Sequence, residues 1–177
     1  MKSKIISISA IAAGFTAIVL LFGAYVEAID LFSIVLSSVF VVLPLYYGSY
    51  KGSFLAYLAG GIIAFLCSGF NVLSLVFPAY FVFFGIYPIV KSKMHEVNMN
   101  RCVRIILGLL WMLISVYGIY FYYVNIMHGI VEGLPEWFVD NVLYFVGAIG
   151  VIFFFIYDRF LIVVRIFINR YLSKIIK

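Results

Sequence analysis

Five polar side chains, Glu27, Asn125, Asp140, Asn141 and Tyr144, are the residues of this sequence best suited to holding a small solute. They belong to a wider polar set: Glu27 and Asp30, Asn71, and the run from Asn125 to Tyr144. Tyr and Trp residues, among them Tyr122, Tyr123, Trp137 and Tyr144, are interleaved with this set. Carboxylates and amides fix a solute's orientation and aromatic rings supply contact area, which is how small-molecule sites are commonly built. Five of the seven acids (Glu27, Asp30, Glu132, Glu136 and Asp140) fall here, and no Lys or Arg does. A bound solute is therefore expected to be neutral or cationic rather than a phosphate or a free carboxylate. Asp140, Asn141 and Tyr144 carry the most weight, because they open a helix where a polar side chain can turn inward. Asp140 can equally be an N-terminal cap held by the helix dipole. The competing reading of the whole cluster is an interfacial belt of Tyr and Trp with solvated acids beside it.

Catalysis is not expected. There is no dinucleotide-binding glycine pattern, no P-loop, no zinc-protease signature and no hydrolase elbow. His95 and His128 are expected on opposite sides of a membrane, and no Cys/His/Asp group has metal-ligand spacing, so neither a metal nor another cofactor is expected. Cys67 and Cys102 are expected about a bilayer thickness apart, too far for a disulfide. No ionisable pair is expected at mid-membrane depth, where intramembrane chemistry would need one. Work against a gradient would draw on an ion or on a partner.

The elements that must position these residues are membrane helices. Apolar segments lie at roughly 5–26, 30–47, 53–70, 71–90, 103–126 and 138–157, each near the ~20 residues that a bilayer needs. Hydrophobic residues make up 67% of the chain and charged residues 11%, which excludes an ordinary soluble domain. All twelve Lys and Arg fall on one side of this six-span reading: Lys2, Lys4, Lys51, Lys91, Lys93, Arg101, Arg104, Arg159, Arg165, Arg170, Lys174 and Lys177. Cationic loops resist translocation, so both termini are expected in the cytoplasm. The net charge of +5 then reads as an orientation signal and an attraction to anionic lipid, not as a nucleic-acid footprint. The expected organisation is an all-α, six-helix membrane domain over 1–157. A basic amphipathic tail over 158–177 continues the last helix. The first apolar stretch is too long for the core of a secretory signal and is expected to remain as the first span.

The spans differ. In the first, Ser9, Ala13 and Ala17 recur every four positions, with Ala10 and Gly14 beside them. Such a stripe lets another helix approach closely, either within the same bundle or on a partner. Its lack of bulky residues predicts a face turned to a partner or to lipid, not to its own core. The fourth span carries Pro78 and Pro88, and Pro78 predicts a mid-membrane kink. In the tail, Arg165, Asn169, Ser173 and Lys177 form one face, opposite Leu161, Val164, Ile168, Leu172 and Ile175. This suits the inner membrane surface or a cytoplasmic partner.

With Ala13-x-x-x-Ala17 in its first span, a six-span layout and both termini inside, the chain resembles the substrate-binding S component of energy-coupling factor (ECF) transporters. The run from Tyr80 to Lys91 and the segment Tyr157-Asp158-Arg159-Phe160 are similar to S-component-like membrane proteins of Gram-positive bacteria. The resemblance implies a membrane-embedded solute-binding subunit of the cell membrane with no catalysis of its own. It would capture a vitamin-like molecule at the outer face. Ser9, Ala13 and Ala17 would dock a transmembrane coupling protein that carries two ATPases. Nickel and cobalt S components have a His soon after the initial Met, whereas Met1 is followed here by Lys2-Ser3-Lys4, so a metal solute is not implied. The order His128, Trp137, Asn141, Tyr144 is similar to thiamine-type S components, but its spacing departs from theirs and names no solute. The alternative is a non-catalytic membrane scaffold similar to the cell-shape protein MreD.

Overall fold

The computed structural model describes residues 2–126 and 136–175, and the described residues are helical, with no strand among them. Helix α1 spans Lys2–Tyr25, and a 3-10 turn at Glu27–Ile29 leads into α2, Asp30–Tyr46. Helix α3 spans Tyr50–Cys67 and starts with Ser49 as its cap, whose hydroxyl accepts the Gly52 N–H at 3.0 Å. The next apolar stretch is broken into α4 (Val76–Ala79), a π-helical turn (Tyr80–Phe84) and α5 (Tyr87–Glu96). Helix α6 spans Arg101–Ile126, and α7 runs unbroken over the 40 residues of Glu136–Ile175. Among the described residues four stretches are long and apolar enough to cross a membrane: Ser3–Tyr25, Glu27–Tyr46, Tyr50–Cys67 and Arg101–Val124. Large apolar side chains such as Ile11, Phe15, Phe22, Leu55, Ile114 and Ile149 are exposed on the helix surfaces. A lipid solvent accommodates such a surface without cost.

Helices α1, α2 and α3 form a tight group whose contact is made by small residues. Ala12, Ala13, Thr16 and Ala17 of α1 are buried, as are Gly52, Ala56, Gly60 and Ala64 of α3. A Cβ on Gly60 would lie 2.8 Å from the Thr16 side chain and 3.0 Å from the Ala13 carbonyl. One on Gly52 would lie 2.4 Å from the Ser9 hydroxyl. The orientation expected for the Ser9–Ala13–Ala17 stripe is therefore corrected: it faces its own bundle, not a partner or open lipid. The physical reason is complementarity. A second small-residue stripe on α3 lets the two backbones meet, and dispersion over that contact exceeds what lipid tails offer. The small residues left open on α1 are Ser3, Ser7, Ala10 and Gly14.

The expected kink at Pro78 is also corrected. Pro78 stands in the first turn of α4, where a missing N–H leaves no hydrogen bond unmade. The irregularity comes later, between Tyr80 and Ile86. Ser68 to Leu75 is a non-helical connection, with Gly69 and Phe70 in the left-handed region. Cys67 and Cys102 are both free and exposed.

Candidate functional site

The broken fourth segment is the most buried part of the molecule. Tyr80, Phe83, Phe84 and Tyr87 are buried in an aromatic core with Tyr57, Phe154 and Tyr157. Phe83 stacks on Tyr87 with centroids 4.7 Å apart, and Phe84 meets Tyr157 edge-on at 4.9 Å. In an apolar surround each unmet carbonyl is costly, so irregular backbone needs side-chain donors. Three neighbouring elements supply them. Tyr57 of α3 donates to the Phe81 carbonyl at 2.9 Å, Trp111 of α6 to Val82 at 3.1 Å, and Tyr157 of α7 to Phe84 at 3.1 Å. The last of these has a source in the sequence. Pro88 cannot donate to the carbonyl four residues back, which is that of Phe84, so the helix ladder leaves it open. Within the turn itself the Gly85 N–H donates to the Tyr80 carbonyl at 2.8 Å, five residues back.

One turn further along α5 lies a charge pair. Lys91 donates to the Asp158 carboxylate at 2.5 Å and to the Asp158 backbone carbonyl at 2.9 Å, and the Tyr87 hydroxyl donates to the same carboxylate oxygen at 2.9 Å. The side chains of Lys91 and Asp158 are only 10% and 17% exposed. Sequence reasoning placed both residues in solvated segments and missed the pair. A signal for it was present: each stands one residue past the inner end of an apolar segment, 71–90 and 138–157. In the six-span reading those two ends share a depth.

Beside the pair, the C-terminal end of α2, helix α5 and helix α7 line an open cavity of about 430 Å³. Its polar lining is Tyr46, Lys91, Ser92, His95 and Arg165, and Val42, Leu45, Leu161 and Ile162 form part of its apolar wall. The Tyr46 hydroxyl is buried without a hydrogen-bond partner. His95 is held below the usual histidine range by partial burial first, then by the cations of Arg104, Arg165 and Lys91, with Asp158 opposing them. At the same end of the bundle Lys4 lies 5.7 Å over the Tyr47 ring and Lys93 5.0 Å over the Tyr50 ring. Lys93 also pairs with Glu96 at 2.6 Å.

The residues expected to hold a solute lie at the opposite end. Glu27 is exposed in the 3-10 turn, and Asn141 and Tyr144 are exposed near the start of α7, Tyr144 by 77%. Asn125 is on the last turn of α6 and Asp140 on the first turns of α7, but their side chains lie outside the described residues, as does the segment 127–135 containing His128 and Glu132. Several aromatics of that end have backbone partners. Tyr123 donates to the Leu73 carbonyl at 2.8 Å, Tyr122 to Val72 at 3.4 Å and Tyr117 to Leu143 at 3.2 Å. These tyrosines tie the 68–75 connection and α7 to α6. No group of three or more potential metal ligands occurs among the described residues. Comparison of the chain with protein-family models, with characterised proteins and with solved structures finds no match.

Proposed function

We propose that this chain is a six-span membrane protein, with both termini in the cytoplasm, that works as a non-catalytic solute-binding subunit of an importer of the ECF type. The observation that carries the reading is the discontinuous fourth segment, a π turn at Tyr80–Phe84 next to a buried Lys91–Asp158 pair. Transporters commonly build their working parts from interrupted membrane helices, and this break lies beside a buried ion pair. Segregation of all Lys and Arg supports the orientation. The solute would enter at the acidic end, near Glu27, Asn125, Asp140, Asn141 and Tyr144, and be neutral or cationic. Partner ATPases and a coupling protein would supply the energy.

The test is co-purification of the full chain from membranes. Recovery of an ATPase pair together with a bound small molecule is the expected result. Recovery of the chain with neither, in a cell that contains such ATPases, would refute the importer role. The scaffold reading is favoured by one observation: the small-residue stripe expected to dock the coupling protein is consumed inside the bundle, at Ala13 and Ala17. A scaffold would co-purify with other membrane proteins and carry no solute.

A further inference from the structure

We propose that the cavity between α2, α5 and α7 binds the phosphate group of an anion, and that its source is the headgroup of an anionic phospholipid. Three features converge. The first is charge. Lys91 is engaged by Asp158, but Arg165 and His95 also line the cavity, and Arg104 is close enough to act on both Lys91 and His95. Glu96, the one acid of α5, is engaged by Lys93. The cavity is therefore cationic in excess, and anions are what it attracts. The second is an unused donor. The buried Tyr46 hydroxyl has no partner, Tyr46 lines the cavity, and a small turn of its ring would bring the hydroxyl to a phosphate oxygen there. Arg165 adds a planar guanidinium, the group best matched to phosphate oxygens.

The third feature is depth, and it selects the source. Tyr47 and Tyr50, each under a lysine, mark an aromatic and cationic layer of the kind that sits among headgroups. The cavity opens at this layer, while Val42, Leu45, Leu161 and Ile162 offer it an apolar wall. A ligand with a phosphate at one end and acyl chains at the other matches both parts, and basic pockets between membrane helices are suited to such headgroups. The cavity volume of about 430 Å³ accommodates a glycerophosphate group. This site lies at the end of the bundle opposite Glu27 and Tyr144. The inference rests on the membrane reading and not on the importer role.

The test uses the full chain purified in a neutral detergent. Binding of phosphatidylglycerol, phosphatidylcholine and inorganic phosphate is followed by native mass spectrometry and by the shift in thermal unfolding midpoint. Phosphatidylglycerol is expected to bind at least about tenfold more tightly than phosphatidylcholine, as two charge-assisted contacts allow. Arg165→Gln combined with His95→Gln should abolish that preference, and Tyr46→Phe should reduce it. Lys51→Gln removes an exposed lysine at the same end but outside the cavity, and should leave the preference intact. Tight binding of inorganic phosphate alone, lost in the Arg165/His95 variant, would keep the site and make its natural ligand a soluble phosphate. A preference that survives in the Arg165/His95 variant, or that falls equally with Lys51→Gln, would overturn the proposal. None of these outcomes depends on whether ATPases co-purify.

Discussion

Replacing Asp158 by Asn should destabilise the folded protein by about 3 kcal/mol, because it strands a buried cation. The Lys91 side chain is 10% exposed, and the carboxylate of Asp158 is its anionic partner. Removing one member of a buried pair typically costs ~3–5 kcal/mol. The lower figure applies here for two reasons. Asn keeps an oxygen to accept from Tyr87, and the Asp158 backbone carbonyl, 2.9 Å from the Lys91 ammonium, is unaffected. A typical domain is stable by only about 5–15 kcal/mol, so the loss should be plain in any unfolding titration. The double change Lys91→Met with Asp158→Leu removes both charges and fills the space with apolar groups. It should recover to within about 1 kcal/mol of the parent, since a matched apolar pair has no desolvation cost. Unfolding of Lys91→Met, Asp158→Leu and the double variant in mixed micelles of increasing SDS content, followed by helicity and Trp fluorescence, gives the free energies for a double-mutant cycle. With each single change costing at least about 3 kcal/mol and the double at most about 1 kcal/mol, the expected coupling is about 5 kcal/mol. If the two single changes simply add in the double variant, the pair is not energetically coupled and its assignment as a buried structural charge is wrong.

Two further outcomes follow from the packing and the electrostatics. Gly60→Val places a side chain against Thr16 and the Ala13 carbonyl and should cost about 1–3 kcal/mol, whereas Gly14→Ala, at a site with open space, should not destabilise the fold; equal losses in a thermal scan would contradict the α1–α3 contact. Binding of phosphatidylglycerol, whose phosphodiester charge is constant, should strengthen as pH falls from 8 to 5.5. The anion favours protonated His95, which Arg104 of α6, Arg165 of α7 and Lys91 of its own helix otherwise disfavour, with Asp158 opposing. The sign for the unliganded fold is the reverse. A histidine held below its unfolded value resists protonation, so stability falls as pH drops through the unfolded value of about 6.5. A flat profile in the parent, or the same slope in His95→Gln, would remove His95 from the site.

What the sequence determined by itself is one-dimensional. Apolar segment lengths specify helices of membrane length, because backbone in lipid must satisfy its own hydrogen bonds. The clustering of Lys and Arg between those segments predicts which ends lie together. Even the Lys91–Asp158 pair was within reach, since opposite charges stand just beyond two segments that end at one level. Tertiary structure decided what depends on neighbours. Ser9, Ala13 and Ala17 form a docking surface in either environment, and only the matching stripe of Gly52, Ala56, Gly60 and Ala64 turns them inward. Pro78 and Pro88 each stand in the first turn of a helix that follows a break, and only the tertiary structure brings Tyr157 of a distant helix to the Phe84 carbonyl that Pro88 leaves open. The cavity beside Arg165 is invisible to any pattern along the chain. It exists because α2 ends at Tyr46 while α7 continues past it, and a void belongs to the space between helices rather than to any one of them.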